Sequence, residues 1–283
     1  MFLLLLLLLL LQSIVTIGFS QNSETEFKSN GKPLALIFTN YHTRFSDGET
    51  KPEFEITRAY LGYEYYFSKE WYAKVIMDVG NPQAGGHEMA AYLKNACVQY
   101  KKDKFTTSFG IISTTQFKIS EKIWGNRYMM KSHQDEYKFN SSADLGFNLD
   151  YKFANFISAD FSVLNGEGYK KLQGDDILRT GFGTTIKPVK NITARVFVDQ
   201  MGKDIKQQSL ATLLAFTNNK FVFAAEYNYQ KNMGMVDGHS IYGTSFYATN
   251  KATDKVKIFG RFDSLNSATI SGENEAWQIG TDG

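Results

Sequence analysis

Apolar and polar residues alternate along most of the chain. This period of two is typical of β-strands that present one apolar and one polar face. After residue 21 there is no Pro- or Ser-rich linker and no block of like charge, which indicates one continuous domain. The alternation predicts fourteen strands, at about 33–45, 54–67, 71–79, 89–101, 104–113, 141–153, 157–164, 177–187, 192–201, 207–217, 220–230, 238–249, 254–263 and from about 276.

Strand length and the rhythm of the connections indicate how these strands are used. Many of them are long enough for the roughly 9–11 residues that a tilted transmembrane strand needs, whereas ordinary sheet strands have about 5–6. The connections alternate between mostly long ones (46–53, 80–88, 114–140, 165–176, 202–206, 231–237 and 264–275) and short ones (68–70, 102–103, 154–156, 188–191, 218–219 and 250–253). Outer-membrane barrels have short periplasmic turns and longer outside loops. The sequence therefore predicts an all-β, antiparallel transmembrane β-barrel in the outer membrane of a Gram-negative bacterium, with Pro52, Pro82 and Pro188 in connections.

The faces of the strands can be assigned from the cost of charge in lipid, because a Lys or Arg facing mid-bilayer costs about 2–4 kcal/mol. Five strands separate their charged and apolar residues by parity, for example Arg195 and Asp199 against Val196 and Val198. The parity is undetermined at 89–101, 207–217 and 238–249. Aromatic residues cluster beside four successive short turns, as in a periplasmic aromatic girdle.

The first residues form a separate segment. A leucine run from Leu3 to Leu11 is followed by small residues at Gly18 and Ser20, which predicts a secretory signal peptide over residues 1–20. An uncleaved membrane anchor is the alternative, since about 18 apolar residues can span a bilayer. We expect residues 21–283 to form the barrel domain.

Composition agrees with a membrane barrel. Aromatic residues make up 15% of the chain and the mean hydropathy is −0.31, a value compatible with a barrel in which only every second residue meets lipid. The net charge of +2 favours neither nucleic-acid binding nor a strongly acidic protein. Cys97 is the single cysteine, so no internal disulfide forms.

The connection over 114–140 is rich in charged and aromatic residues, and loops of this length are usually functional or disordered. Trp124 and Tyr128 argue against disorder, and we expect this third outside loop to fold into the barrel. The stretch FGIISTTQFKISEKIWGNRYMMKSHQDEYKFNSSADLG, followed by ISADFSVLNGEGYKKLQGDD, resembles the outer-membrane porins of Bacteroidota. It is more distantly similar to the phosphate-selective porin O/P family.

The resemblance implies a barrel of about 16 strands, passive diffusion of small polar or anionic solutes, and a homotrimer. Relative to that family the chain ends early, within its last predicted strand, so we expect a C-terminally truncated barrel. The inward-facing charges are nearly balanced in sign, which argues against strong anion selectivity. Outer-membrane lipid and the solutes are the expected partners, without nucleic acid.

A narrowed pore has no catalytic residues, and its site is the ring of charges around the constriction. We expect eight residues to line it, four from the long loop and four from the wall: Lys118, Lys122, Arg127, Lys131, Asp144, Asp150, Arg195 and Arg261. No cofactor or metal is expected, because the histidines share no ligand spacing and His87-Glu88 lacks a second His in place of Ala91.

Two other classes of protein remain as alternatives. One is a non-transport barrel that anchors an adhesin or an enzyme, which would need outside domains or a catalytic group at the rim. The other is a soluble secreted β-sandwich that binds carbohydrate. Solubility without detergent would favour the sandwich, and heat-modifiable mobility on gels would favour the barrel.

Overall fold

The computed structural model describes residues 27–46, 48–80, 89–267 and 278–282. The predicted signal peptide (1–20), Pro82 and most of the last long connection lie outside these residues. Within the described part, no helix is long and apolar enough to cross a membrane.

Fourteen strands form one antiparallel sheet in which each strand pairs with the next along the chain. Among the described residues, β1 pairs only with β2, and β14 only with β13. The strands are β1 (Asn30–Ser46), β2 (Glu49–Tyr66), β3 (Trp71–Gly80), β4 (Ala90–Lys102), β5 (Phe105–Ser113), β6 (Ala143–Ala154), β7 (Ile157–Leu164), β8 (Arg179–Ile186), β9 (Ile192–Met201), β10 (Gln207–Thr217), β11 (Phe221–Lys231), β12 (Ile241–Lys251), β13 (Lys257–Ser267) and β14 (Gln278–Asp282).

The six predicted short turns all join neighbouring strands, and most of the other connections are long, as expected. The prediction of a long connection at 46–53 is wrong, because β1 and β2 continue almost to each other. Pro52 therefore lies in β2, opposite Thr43, and not in a connection. β2 pairs with β3 only from Ala59 onward, so this end of β2 has an open edge in the described structure, where a missing N–H breaks no ladder.

The two faces of the sheet follow the predicted parity. In β9, Arg195 and Asp199 are buried on the inner face, while Val196 and Val198 are half exposed on the outer face. The outer face also exposes large apolar side chains along the other strands, among them Val75, Phe109, Leu145, Phe182, Leu214, Phe223, Phe246 and Ile258. An apolar surface of this extent marks contact with a partner or a membrane, and lipid covers this face in a membrane barrel.

Aromatic residues also cluster at the short turns, as predicted. Trp71 packs on Tyr100 with ring centroids 5.0 Å apart, and Tyr151 packs on Phe153 at 4.9 Å. Phe156, in the turn between β6 and β7, is more than half exposed. These rings form a girdle at the end of the barrel that carries the short turns, as expected for side chains at the interface between lipid and water.

A β-bulge explains why the faces of β4 could not be assigned from sequence. Ile76 of β3 pairs with Asn95, and Met77 pairs with Leu93, which leaves Lys94 without a partner residue. Lys94 and Asn95 are consequently both buried. Because the extra residue shifts the alternation by one, odd positions face outward before the bulge and even positions after it.

Candidate functional site: the inward segment and the charged gap

The connection between β5 and β6, residues 114–142, folds against the inner face of the sheet; we call it the inward segment. It contains the helices α1 (Thr115–Trp124) and α2 (His133–Glu136), which the period-two pattern did not predict. α1 ends at Gly125, whose left-handed conformation (φ 68°) suits a glycine, and the Gly125 N–H donates to the Glu121 carbonyl. Phe117, Ser120 and Trp124 are spaced three and four residues apart, so one side of α1 is buried.

An apolar contact fixes the end of α1 to the wall. Trp124 is only 2% exposed and packs into a cluster on the inner face of β10–β12. Its indole N–H donates to the Met130 carbonyl at 2.8 Å, so the polar atom of the buried ring is paired. The wall residues of the cluster are Leu213, Ala215, Ala224 and Tyr247. These inward apolar residues also explain why the faces of 207–217 and 238–249 were not resolved from sequence.

Polar contacts hold the backbone of the segment on the same side. Arg195 donates to the Thr115 carbonyl at 2.8 Å and forms two bonds with Asp160 at 2.6 and 3.0 Å. Arg261 donates to the Lys131 carbonyl and is paired with Asp263. Charge-assisted bonds of this kind are stronger than neutral ones, and here they fix two separate points of the segment to β9 and β13.

A third group of contacts involves His133 at the start of α2. Its Nδ1 lies 2.9 Å from the side-chain nitrogen of Asn228, and the imidazole is 1% exposed. A Cβ added to Gly243 of β12 would lie 2.9 Å from Nε2 of His133, so the glycine permits this close approach. The inward segment is therefore held over a wide area of β7–β13.

The wall of β2–β4 carries a second polar cluster, on the side of the barrel away from these anchors. Asp78 is its centre: it lies 3.3 Å from Arg58 and 3.8 Å from Lys94, and accepts a bond of 2.9 Å from the Tyr169 hydroxyl. Arg58 donates to the Tyr60 hydroxyl at 2.9 Å. Burying so many charges is tolerated because each is paired.

Cations and tyrosine rings alternate in this cluster. Lys94 lies between two rings, 5.1 Å from the centroid of Tyr60 and 5.0 Å from that of Tyr169. Lys170 lies 4.9 Å from the centroid of Tyr92 and 5.9 Å from that of Tyr169. Such contacts are within the distance of cation–π attraction, so the rings hold the positive charges in fixed positions on the wall.

Charges of the inward segment face this wall. Arg127 binds Glu121 at 2.9 Å and lies 3.8 Å from Asp135, and it also interacts electrostatically with Tyr60 and Lys94. Arg127, Glu121 and Asp135 are each about one-fifth exposed, so water reaches the space before them. We call this space the charged gap; its charged residues are Arg58, Lys94, Arg127, Lys131, Lys170, Asp78, Glu121 and Asp135. Five are basic and three acidic, a formal charge of +2.

The structure separates the eight residues predicted to line a constriction into different places. Arg127 and Lys131 belong to the charged gap, whereas Lys122 is exposed on α1 and Lys118 lies 4.0 Å from Asp150, outside the gap. Arg195 and Arg261 are buried beneath the inward segment as anchors and do not face open space.

Asp144 is also buried away from the gap. It accepts the backbone N–H groups of Leu145 and Gly166 at 2.8 Å each, and so fixes the start of the next outer loop. Sequence reasoning did not include Lys94, Tyr60, Tyr169 and Lys170 among the site residues. Lys94 was hidden by the bulge, and Tyr169 and Lys170 lie in a different outer loop. In the sequence, the predicted inward position of the charged residues Arg58 and Asp78 was the indication that this wall forms part of the site.

The docking of His133 is expected to depend on pH. Burial, together with the positive charge of Arg261, lowers the pKa of His133 to about 4, although Asp263 opposes this shift. A histidine whose pKa is lower in the docked state stabilises that state fully above its free pKa of about 6.5 and loses this contribution as the pH falls toward 4. Asn228, Tyr137 and the Ser264 backbone also face the imidazole.

The thermal midpoint, measured from heat-modifiable gel mobility, should therefore fall more between pH 6.5 and 4 for the wild type than for His133→Gln. Glutamine keeps a polar group but cannot titrate in this range. Identical pH profiles of the two proteins would contradict the assignment.

No protein-family model and no curated protein matches the sequence of the chain. Among solved structures, OmpT of Vibrio cholerae expressed in the outer membrane is similar with a TM-score of 0.59 and 11% identity, over 90% of this chain and 81% of that one. The chain has the fold of an outer-membrane β-barrel. An anion-selective porin from Comamonas acidovorans aligns with a TM-score of 0.48 and 10% identity, over 90% of this chain and 94% of that one.

The fold and the apolar outer surface together assign the chain to the outer membrane of a Gram-negative bacterium. The large apolar side chains on the outer face of the sheet are those that lipid accepts. Among the residues that the structure describes, no group of three or more His, Cys, Asp and Glu side chains is placed to hold a metal ion.

Proposed function

We propose that the protein is an outer-membrane porin that lets small polar or anionic solutes diffuse through a pore narrowed by the inward segment. The observation that carries the proposal is that the contacts of this segment lie mostly on one side of the barrel, apart from the bond of 3.4 Å that Lys94 donates to Ser142 at its end. Anchors at Thr115, Trp124 and Lys131 hold it against β7–β13, and its charged side faces the wall of β2–β4 across the charged gap. A solute that passes the segment does so along that gap.

The charge of the gap supports a preference for anions. Fixed charges on facing walls set up a local field that concentrates ions of the opposite sign. The gap has a formal charge of +2, whereas the inward charges taken together along the strands were nearly balanced. The preference therefore depends on which charges remain at the opening after Arg195 and Arg261 are covered.

The resemblance to Bacteroidota porins supports this proposal. With it we propose a homotrimer and a signal peptide that is cleaved. We propose no catalytic activity and no cofactor. Selectivity for phosphate itself is not part of the proposal, since the gap retains three acidic side chains.

Planar-bilayer recordings of the full-length protein test the proposal. The wild type should give stepwise conductance and a reversal potential that favours chloride over potassium in a salt gradient. Two unit charges about 10 Å from a permeating ion contribute about 0.4 kcal/mol each in water-like surroundings. Because each charge favours chloride and disfavours potassium by that amount, the double substitution Arg58→Gln and Lys94→Gln should lower the chloride-to-potassium permeability ratio about fifteenfold.

A second double variant tests the charge of the gap without breaking a buried ion pair, which could prevent the protein from folding. Lys131 and Lys170 are exposed, so Lys131→Gln with Lys170→Gln should shift the ratio in the same direction without disturbing the buried pairs. Lys203→Gln, in an outer loop beside Asp176, serves as the matched control and should leave the ratio unchanged. A folded protein without conductance steps would refute the porin, and an unchanged ratio in both double variants would refute the role of the gap.

A further inference from the structure

Positive charge is distributed unequally between the two ends of the barrel. All six short turns, taken as 67–70, 101–104, 152–156, 187–191, 218–220 and 251–257, contain lysine, and together they hold eleven lysines and three acidic residues. The four outer connections that are described throughout (114–142, 165–178, 202–206 and 232–240) hold eight lysines, one arginine and eight acidic residues. The periplasmic end is therefore basic, and the described outer connections are nearly neutral.

Four of these lysines line one cavity of about 310 Å³ at the periplasmic mouth: Lys101, Lys104, Lys152 and Lys187. Alternation places three of them on the inner face. Lys187 is two residues from Thr185, which binds the inward Arg195, and Lys101 is two residues from Gln99, which binds Ser108 on the inner face. Lys152 follows Asp150 by two residues. Lys104 lies in a turn and donates to the Phe153 carbonyl at 3.2 Å.

The remaining lining of the cavity suits an oxyanion. Thr106, Ser158 and Thr185 add hydroxyl groups, which donate hydrogen bonds to anionic oxygens. Asp103 and Asp150 are the acidic side chains of the lining, and Lys118 of α1 lies 4.0 Å from Asp150. The lining therefore holds four basic and two acidic groups, and Lys118 adds a positive charge beside Asp150. Each exposed lysine attracts an anion weakly, but several at one mouth favour a ligand that carries more than one negative charge.

We infer that this cavity is a binding site for small, soluble, multivalent oxyanions that reach the pore from the periplasmic side. The site is separate from the charged gap, because it lies on the inner face at the opposite end of the strands. Tyr151 and Phe156 of the aromatic girdle also line the cavity, but three of its four lysines lie on the inner face, which favours a soluble anion over a lipid headgroup. The inference rests on the proposed function in one respect. Binding of the anion is detected as a block of the current, which requires that the protein conducts ions.

Citrate is the probe, with acetate as its monovalent counterpart, in recordings of the full-length protein in a neutral phosphatidylcholine bilayer at about 0.1 M KCl. Orientation is assigned from the compartment in which a membrane-impermeant thiol reagent labels Asp237→Cys, in a Cys97→Ala background. Citrate should block at a concentration about tenfold lower from the side of the short turns than from the other side. Acetate should show no sidedness. At about 1 M KCl, where the screening length falls from about 10 Å to about 3 Å, the sided block should disappear.

The decisive variant neutralises the cavity with Lys101→Gln, Lys104→Gln, Lys152→Gln and Lys187→Gln, which should abolish the sidedness while conductance steps persist. The matched control neutralises four other turn lysines, Lys102, Lys190, Lys220 and Lys255, and should keep it. Loss of sidedness in both sets would show a diffuse field of the mouth and overturn the site. Equal block from both sides of the wild type would also overturn it, as would sidedness that appears only in bilayers with anionic lipid. If no conductance is seen at all, the porin itself is refuted, so the two failures are distinguishable.

Discussion

Trp124→Ala is expected to lower the free energy of unfolding by about 3–5 kcal/mol, the usual cost of truncating a buried aromatic side chain. Trp124 is 2% exposed and touches Tyr247 and Phe259 edge-on, with ring centroids 5.0 and 5.7 Å apart. It also covers the Arg261 guanidinium at 4.9 Å. The substitution therefore removes an apolar contact, a hydrogen bond to Met130 and the cover of a buried charge.

Urea titration in lipid vesicles, followed by heat-modifiable mobility, measures this loss. We also expect single-channel recordings of the variant to become noisier, because the end of α1 no longer has a fixed position. Trp71→Ala is the matched control. Trp71 is 43% exposed on the outer face and, among the described residues, contacts no part of the inward segment. The current noise of this variant should therefore equal that of the wild type. A Trp124→Ala protein with unchanged stability and unchanged noise would contradict the anchoring role.

Arg195→Ala is the second change with a large expected effect. Arg195 and Asp160 are 4% and 9% exposed, and removing one partner of a buried pair typically costs about 3–5 kcal/mol because the other charge is left uncompensated. The variant also loses the bond to the Thr115 carbonyl, which fixes the first turn of α1. We expect a lower urea midpoint and a mobile start of the inward segment.

The double variant Arg195→Met with Asp160→Leu separates these two effects. Because it leaves no unpaired charge, it should recover much of the stability, while the Thr115 carbonyl remains without its donor and the channel noise persists. The exposed pair Lys203–Asp176 is the control, and Lys203→Ala should leave the urea midpoint unchanged. If Arg195→Ala and the double variant were equally stable, the uncompensated charge would not be the cause.

The alternation of apolar and polar residues was enough to predict the fourteen strands, the short turns and the faces of five strands. This information is local, since a strand between lipid and water needs only one apolar side and one polar side. The prediction failed first at Pro52, where both β1 and β2 extend beyond the length that the pattern suggested. It was undetermined at β4, because the bulge at Lys94 reverses the parity within a single strand.

The site was only partly accessible from the sequence. The long segment, its inward fold and the presence of Arg127 and Lys131 were predictable from charge and aromatic content, and so was the inward position of Arg195 and Arg261. It was not predictable that the inward segment covers these two arginines, or that Lys94, Tyr169 and Lys170 belong to the opposite wall. The inner wall at Leu213, Ala215 and Tyr247 breaks the rule of polar inward residues for the same reason, since Trp124 and not water lies against it.

The sequence by itself thus determined a transmembrane barrel with an inward segment, because those features follow from periodicity and composition. Only the tertiary structure decided which charges border the open space. That outcome depends on contacts between residues far apart in the chain, such as Trp124 with Tyr247 and Tyr169 with Asp78, and on which backbone carbonyls accept hydrogen bonds from the arginines. The local pattern of residues carries no information about such pairs. All inward charges look alike in the sequence, and only the folded structure shows which of them are buried under the inward segment.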